Sequence, residues 1–258
     1  MEKLTNNQIQ FLREKLKKEV RQYIELDDKI KALNKAAKDY RKTKGELSES
    51  ILEIWCGTGR ISIPLAQSGK AVHGIDISTK MIEIAQIKSS LSNLTFQVMD
   101  MRELNFKQHF DTILIPFNGF QSLLTVPDQI KCLKSIKKLC HKNSKIVFDI
   151  FFPDKEIFDQ KNSNYYLVSQ KTQKSIEVWH KTNFDFFNQL IHTNLRVIQL
   201  LNDENPKVSY KSFTLRYCYP QELIYLFEIS GLKIVNMYSD FNKTLYETNQ
   251  LVIEAQII

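Results

Sequence analysis

An apolar run that ends in two closely spaced glycines constrains the fold of this chain more than any other feature. Residues 51–55 read Ile-Leu-Glu-Ile-Trp, which is typical of a strand buried on both faces of a sheet. Gly57 and Gly59 follow, and glycines let the backbone turn sharply and approach a ligand closely. Residues 60–68 suit a short helix that ends at Gly69. This strand–turn–helix unit predicts an α/β fold in which a helix N-terminus faces a ligand.

Strands and helices alternate along most of the remaining chain. The predicted strands are 50–55, 71–76, 94–99, 111–115, 145–151, 232–238 and 249–257, and the predicted helices are 60–68, 79–89, 127–140 and 220–230. Alternating units of this kind build a parallel, doubly wound sheet with helices on both faces.

Two segments depart from this alternation. In residues 5–44, apolar side chains recur with the period of a helix. Residues 1–44 contain thirteen Lys and Arg and seven Asp and Glu, so this segment carries +6 of the chain's formal charge of +7. Residues 164–218 alternate as three or four antiparallel strands rich in aromatic side chains. The expected domains are therefore a helical cap at 1–44, an α/β domain at 45–155 and 219–258, and an antiparallel insert at 156–218 that serves as a substrate lid.

The glycine turn and three later segments resemble the motifs of class I S-adenosylmethionine (SAM) dependent methyltransferases. The first family motif runs hydrophobic, acidic, hydrophobic, Gly-x-Gly-x-Gly, and residues 52–60 are similar to it. Residues 72–81, 96–101 and 110–118 resemble the next motifs in the same order. The resemblance covers residues 50–155 well and the last forty moderately. It implies a Rossmann-like, doubly wound, seven-stranded sheet whose final strand is antiparallel.

The resemblance also implies a cofactor, SAM, with S-adenosyl-L-homocysteine as product. Asp76 lies 23 positions after Glu53, the spacing at which a carboxylate in a nucleotide-binding unit meets a ribose diol. Asp100 is expected to accept from the adenine amino group, and Glu53 to order the turn around the methionine amine. The other residues that the motifs place at the cofactor are Cys56, Gly57, Gly59, Ile77, Met81, Met101 and Phe117. Each acidic residue has an alternative role as a helix or turn cap.

The segment after the fourth predicted strand, Pro116 to Phe120, is expected beside the transferred methyl group. Asn118 is the expected catalytic residue, because its carbonyl suits holding an acceptor. A hydroxyl acceptor would need a general base, and the sequence offers no obvious His or Lys for one, which favours an amine nitrogen. Tyr40, Arg216 and Tyr217 are candidate substrate residues, with a packing role as the alternative for each.

Trp55 departs from the family pattern, because it stands where the family has its first glycine. That glycine lets the backbone approach the methionine part of SAM. Two interpretations stay open: the indole packs away from the pocket, or it fills part of the pocket and weakens cofactor binding.

Composition narrows the remaining classes. The four cysteines have no C-x-x-C spacing and the five histidines are scattered, so we expect reduced thiols and no metal. There is neither an apolar run long enough to span a membrane nor a secretory signal, so the expected location is cytoplasmic. The expected partner is a small-molecule substrate, and the chain itself is expected to be a monomer or a homodimer. Methylation of RNA or protein, and a catalytically silent SAM-fold binding protein, are the alternatives.

Overall fold

The computed structural model describes residues 50–153, 166–171, 176–199, 206–245 and 249–258. The helices predicted over 5–44, and Tyr40 with them, lie outside these described residues. The chain divides into two compact units, of which one takes residues from Lys44 to Lys155 and from Leu215 to Ile258, while the other contains a four-stranded sheet.

Eleven strands occur among the described residues. They are β1 (Ser50–Ile54), β2 (Ala71–Asp76), β3 (Leu94–Val98), β4 (Phe110–Ile115), β5 (Cys140–Phe151), β6 (Tyr166–Lys171), β7 (Ile176–Asp185), β8 (Leu190–Gln199), β9 (Lys207–Arg216), β10 (Leu232–Tyr238) and β11 (Gln250–Ile257). Seven of them form one sheet in the order β10-β11-β5-β4-β1-β2-β3. β1 to β5 are mutually parallel, and β11 pairs antiparallel with β5 and with β10. The predicted seven-stranded, Rossmann-like sheet with an antiparallel last strand is confirmed.

The helices of this unit are α1 (Ser62–Gln67), α2 (Thr79–Lys88), α3 (Val126–Lys137) and α4 (Pro220–Ile229), with a short 3-10 turn at Gly119–Ser122. Ser78 caps α2 by accepting the Met81 N–H, and Thr125 caps α3 by accepting the Asp128 N–H. Most predicted boundaries agree to within two residues. The end of α3 is the exception, because the prediction extended the helix to residue 140 and began the strand at 145.

That error has a tertiary cause. The apolar side chains of Ile136 and Cys140 fit a helical stripe, yet α3 ends at Lys137 and Cys140 already pairs with Phe110 of β4. The Phe110 N–H also donates to the Leu139 carbonyl at 2.9 Å. Sheet pairing at the amino end of β4 therefore overrides the local helical pattern.

The core lies where α3 and α4 pack on β4, β5 and β11. Phe148 of β5 stacks on Phe227 of α4 with ring centroids 5.4 Å apart and planes 3° apart. Phe120, from the 3-10 turn, packs on Phe148 with centroids 5.4 Å apart. All three rings are buried, and each contributes roughly 1.5–3 kcal/mol by leaving water. This core anchors the carboxyl ends of the central strands.

The strand order places a crevice at β1. β1 lies between β2 and β4, so Glu53 is opposite Gly74 on one side and Leu114 on the other. The chain winds outward in opposite directions from this point, and ligands of open α/β sheets bind at the carboxyl ends of the strands at such a switch.

The other unit contains a sheet in the order β6-β7-β8-β9. β7 pairs antiparallel with β6 and with β8, and the β7–β8 hairpin extends from Ile176↔Gln199 to Asp185↔Leu190. Phe184 and Phe186 stack with centroids 5.8 Å apart at its turn. The predicted antiparallel insert thus has four strands in its described part, and β9 ends at Arg216. Within the described residues, no helix combines the length and the apolar character that crossing a membrane requires.

Candidate active site

The glycine turn after β1 is fixed by a carboxyl group beneath it. Glu53 is 1% exposed and accepts a hydrogen bond from the hydroxyl of Ser62, the first residue of α1. Burial raises the pKa of Glu53 to about 7, against the opposing effects of the Ser62 hydrogen bonds and of the nearby Arg60 charge. Glu53 therefore joins the end of β1 to the start of α1 across the turn.

Asp76 joins the same turn to the end of β2. Its carboxylate accepts the Gly57 N–H at 3.0 Å and the Ser78 N–H at 2.9 Å. The first bond holds the glycine turn, and the second fixes the segment that enters α2. Asp76 is 6% exposed and yet lines the adjacent cleft, so its remaining acceptor capacity is available at the cleft.

The turn glycines serve different purposes. A Cβ on Gly59, which has φ +78°, would come within 2.7 Å of the Phe96 ring, so this position needs glycine for packing. A Cβ on Gly57, which has φ +54°, would meet no heavy atom within 4 Å. The backbone at Gly57 is therefore open to the approach of a ligand.

Trp55 adopts the left-handed backbone conformation that the family's glycine would take easily, with φ +67°. Its half-buried side chain packs at the edge of the core and lines the cleft. Gly119 makes room for it, because a Cβ there would come within 2.9 Å of the Trp55 Cβ and Cγ. The side chain therefore packs against Gly119 and also forms part of the cleft wall, and a weaker cofactor site stays a prediction.

A cleft of about 510 Å³ lies at the carboxyl ends of β1 and β2 and the start of α3. Its lining residues are Ile54, Trp55, Ile75, Asp76, Ile77, Met99, Met101, Arg102, Ser122, Leu123, Leu124, Thr125 and Asp128. The wall is therefore mainly apolar with a few polar groups, as is usual for a site that binds a small molecule.

Only some of the cofactor residues expected from the motifs line this cleft. Asp76, Ile77 and Met101 line it, whereas the other cofactor residues predicted from the motifs are not among its lining residues. Met81 is 43% exposed on the first turn of α2, and Cys56 is buried with its thiol 3.7 Å from the Gly57 carbonyl oxygen. Burial raises the pKa of the Cys56 thiol, which fits a packing role rather than that of a nucleophile.

Asp100 is held by a partner that the sequence analysis missed. The Arg102 guanidinium contacts the Asp100 carboxylate at 2.6 Å and the Asp128 carboxylate at 3.1 Å. The backbone N–H of Arg102 also donates to the Asp100 carboxylate at 2.8 Å, and these contacts lower the pKa of Asp100. Arg102 and Asp128 line the cleft, and their pairing places a charged group on its rim.

The turn after β4 is held in an unusual conformation. Phe117 and Asn118 both have left-handed backbones, with φ +58° and +57°. Asp149 of β5 accepts the Phe117 N–H at 2.8 Å and the Asn118 N–H at 3.2 Å. Burial raises the pKa of Asp149 to about 6, while these two hydrogen bonds act in the opposite direction. Above the turn, the Arg60 guanidinium lies 3.8 Å from the centroid of the Phe117 ring.

Arg216 and Tyr217 are both buried in the α/β unit. The Arg216 guanidinium bonds Glu222 of α4 at 2.6 Å and Gln129 of α3 at 3.0 Å. Tyr217 packs edge-on against Tyr219 with centroids 5.6 Å apart. These contacts favour the packing role that the sequence left open for the two residues.

Sequence analysis missed Arg102, Asp149 and the Trp55–Gly119 contact. Arg102 had a signal, since a basic residue two positions after Asp100 at a strand end can pair with it locally. Asp149 had a weaker signal, since it is the one acidic residue within the otherwise apolar run 146–151 of a predicted strand. The Trp55–Gly119 contact joins segments 64 positions apart and had none. No group of three or more His, Cys, Asp or Glu suited to a metal ion occurs in the described parts of the chain.

These residues fit the cofactor that the motifs imply. Asp76 offers a carboxylate acceptor at the cleft, Met99 and Met101 offer an apolar wall, and Gly57 leaves the turn open. A nucleoside needs acceptors for its diol and an apolar surface for its base. Trp55 is the one departure, and it narrows the cleft without replacing any of these groups.

The comparisons with known proteins agree with this geometry. A family described as "Methyltransferase domain" matches residues 46–203, more than half of the chain. A putative methyltransferase of Bacillus subtilis, YqeM, is 34% identical over 149 residues, which are 54% of this chain and 60% of that protein. The chain thus spans less than two thirds of this relative's length.

Solved structures extend the likeness to most of the chain. A SAM-dependent methyltransferase from Clostridium acetobutylicum has a TM-score of 0.74 at 15% identity, covering 92% of this chain and 98% of that one. The sugar N-methyltransferase KedS8 from Streptoalloteichus has a TM-score of 0.66 at 10% identity, covering 85% of each. At these identities the likeness establishes a shared fold.

Proposed function

We propose that this chain, which belongs to the class I SAM-dependent methyltransferase family, transfers a methyl group from SAM to a small-molecule acceptor, with nitrogen as the receiving atom. The observation that carries the proposal is the position of Asp76. Its carboxylate ties down the glycine turn and still lines the cleft at the switch point of the sheet.

When bound, SAM supplies a methyl group on a sulfonium that is already activated for displacement. The chain's residues therefore have to bind SAM and the acceptor, orient them toward each other and exclude water. In the proposed arrangement Asp76 accepts from the ribose, Met99 and Met101 border the adenine, and Gly57 allows close approach of the backbone. Asp100, restrained by Arg102, accepts from the adenine amino group, and the Met101 backbone N–H donates to the adenine ring.

The acceptor side is expected at the turn after β4. Asn118 begins the 3-10 turn there, and its side-chain carbonyl suits an N–H donor on an acceptor amine. None of the described residues that line the cleft is a histidine or a lysine. A hydroxyl acceptor would require a general base, and Asp149, the carboxylate at this turn, already accepts the Phe117 and Asn118 N–H groups, so these observations support a nitrogen acceptor. The sugar N-methyltransferase KedS8 shares this fold and is consistent with the proposal.

The four-stranded sheet of the other unit is proposed to select the acceptor. It is an addition to the α/β unit, and its described aromatic residues Phe186 and Phe187 are exposed. Exposed aromatic side chains suit contacts with a ring-bearing ligand.

A catalytically silent SAM-fold binding protein is the second candidate, and Trp55 is the observation that favours it. An indole in place of the first motif glycine reduces the room at the methionine end of the site. The alternative of RNA methylation rests on the basic segment 1–44, which lies outside the described residues. RNA binding would fall steeply with salt, whereas binding of a small amine would not.

Calorimetric titration with SAM and with S-adenosyl-L-homocysteine, on the wild type and on Trp55→Gly, separates the candidates. The proposal expects micromolar binding of SAM by the wild type, followed by methyl transfer to members of a panel of small amines. Absent binding by the wild type, with binding gained in Trp55→Gly, would establish the silent alternative. Absent binding in both proteins would refute the assignment of the cleft to SAM.

A further inference from the structure

Three residues with left-handed backbones lie at the carboxyl ends of the adjacent strands β1 and β4. They are Trp55, Phe117 and Asn118, with φ of +67°, +58° and +57°. Side chains with a Cβ rarely adopt this conformation, because the Cβ crowds the carbonyl oxygen. Such strain persists only where surrounding contacts enforce it, and it concentrates at functional sites. The contacts that enforce it here therefore identify residues that shape the site.

Asp149 provides those contacts for two of the three residues. Its two carboxylate oxygens each accept one backbone N–H, from Phe117 at 2.8 Å and from Asn118 at 3.2 Å. The Asp149 side chain lies on β5, next to β4 in the sheet, where Phe148 is opposite Ile115. A rigid strand therefore holds both donors, and an amide in place of the carboxylate would provide only one acceptor oxygen.

The position of this turn also fixes the position of a side chain that lines the cleft. The residue after Asn118 is Gly119, whose N–H donates to the Pro116 carbonyl at 3.2 Å and whose Cα faces the Trp55 side chain. Trp55 in turn lines the cleft. A movement of the turn by a few tenths of an ångström at Gly119 would change the position of the indole, since there is no free space between them.

We propose that Asp149 is a positioning residue of the cofactor site, which holds Asn118 and, through Gly119, the Trp55 indole in the geometry that binds SAM. This inference rests on the proposed function. Asp149 acts through the turn and not on the ligand, since its two observed donors are backbone groups.

The chain offers its own reporter for this arrangement. It has two tryptophans, Trp55 and Trp179, and Trp179 belongs to the four-stranded sheet of the other unit. In a Trp179→Phe background all tryptophan emission comes from Trp55. Its wavelength follows the polarity around the indole, so it reports the position of Trp55 with or without SAM.

The test compares Asp149→Asn with Asp111→Asn in this background. Asp111 is the matched control, because it also accepts a backbone N–H, from Ser50 at 2.9 Å, but at the opposite end of β4. We expect Asp149→Asn to shift the Trp55 emission and to raise the Kd for SAM about tenfold. Asp111→Asn should leave the emission unchanged and the Kd within twofold of the parent.

Parental emission and parental SAM affinity in Asp149→Asn would overturn the inference. If the parent itself did not bind SAM, the proposed function would fail and the cofactor role of Asp149 with it, while the emission of the two variants would still show whether Asp149 holds the Trp55 indole in place. If Asp149→Asn did not fold, adding Asn118→Gly would relieve the left-handed strain and permit the same comparison against Asn118→Gly alone. Equal emission and equal SAM affinity in that pair would likewise overturn the inference.

Discussion

The Trp55 side chain lies directly against Gly119, where a Cβ would come within 2.9 Å of the Trp55 Cβ and Cγ. The tryptophan that replaces the family's glycine at position 55 is therefore accompanied, in this chain, by a glycine at position 119. The large side chain at position 55 is tolerated because position 119 has none.

Replacing Gly119 by alanine should displace the Trp55 indole. The added methyl would also come within 3.2 Å of Ile115, so we expect overpacking to lower the free energy of unfolding by about 1–3 kcal/mol. SAM affinity should fall about tenfold, which is about 1.4 kcal/mol. Urea unfolding and calorimetry measure the two effects. Trp55→Gly combined with Gly119→Ala should recover the stability lost by overpacking, and a double variant no more stable than Gly119→Ala would contradict the contact.

Replacing Asp76 by asparagine should weaken both the turn and the cofactor site. The amide keeps one acceptor oxygen, so either the Gly57 or the Ser78 N–H loses its partner, at a cost of about 1–3 kcal/mol in the free energy of unfolding. The ribose would lose its carboxylate acceptor, and SAM affinity should fall at least about tenfold. Asp185→Asn is a control, because Asp185 accepts the Asn188 N–H in the other unit. Equal SAM affinities in these two variants would refute the role of Asp76.

Glu53 should make the protein less stable as the pH rises. Its pKa is raised from 4.5 to about 7 by burial, so the folded state holds a proton that the unfolded state releases between these values. The contribution of this group to the free energy of unfolding therefore falls as pH rises from about 4.5 to about 7, by at most about 3 kcal/mol. Glu53→Gln should remove this fall.

Urea unfolding of the wild type and of Glu53→Gln at pH 5, 6, 7 and 8 measures this fall in the free energy of unfolding. The exposed Glu83→Gln substitution on α2 provides the matched control and should keep the wild-type pH dependence. A wild-type slope in Glu53→Gln would show that other groups cause it.

Replacing Arg216 by methionine should affect folding and not the cofactor site. The substitution removes the charged partner of Glu222 and leaves the buried Gln129 oxygen without its guanidinium donor. We expect the free energy of unfolding to fall by about 3 kcal/mol. Calorimetry on the folded variant at low temperature should give a SAM affinity within twofold of the wild type. Unchanged stability, together with a loss of methyl transfer in the amine panel, would instead return Arg216 to the substrate site.

The sequence predicted part of the cleft wall. Asp76, Ile77 and Met101 line the cleft, and they were predictable because strand ends, turn glycines and caps are local features that recur at fixed spacings along the chain. Their contacts with a cofactor stay a prediction. Seven strands and the antiparallel last strand followed from the resemblance of the motifs. The boundary between α3 and β5 was wrong, since Cys140 takes its conformation from Phe110 in another strand.

The sequence by itself determined the α/β alternation, the glycine turn and the carboxylate that ends β2, since each depends on neighbours within about twenty residues. Only the tertiary structure decided how Trp55 is accommodated, which carboxylate holds Asn118, and that Arg102 also pairs with Asp128. These contacts join β1 to the turn after β4, β5 to the same turn, and the loop after β3 to α3. Their partners are brought together by sheet order and packing, and no pattern along a single strand or helix specifies a contact of that kind.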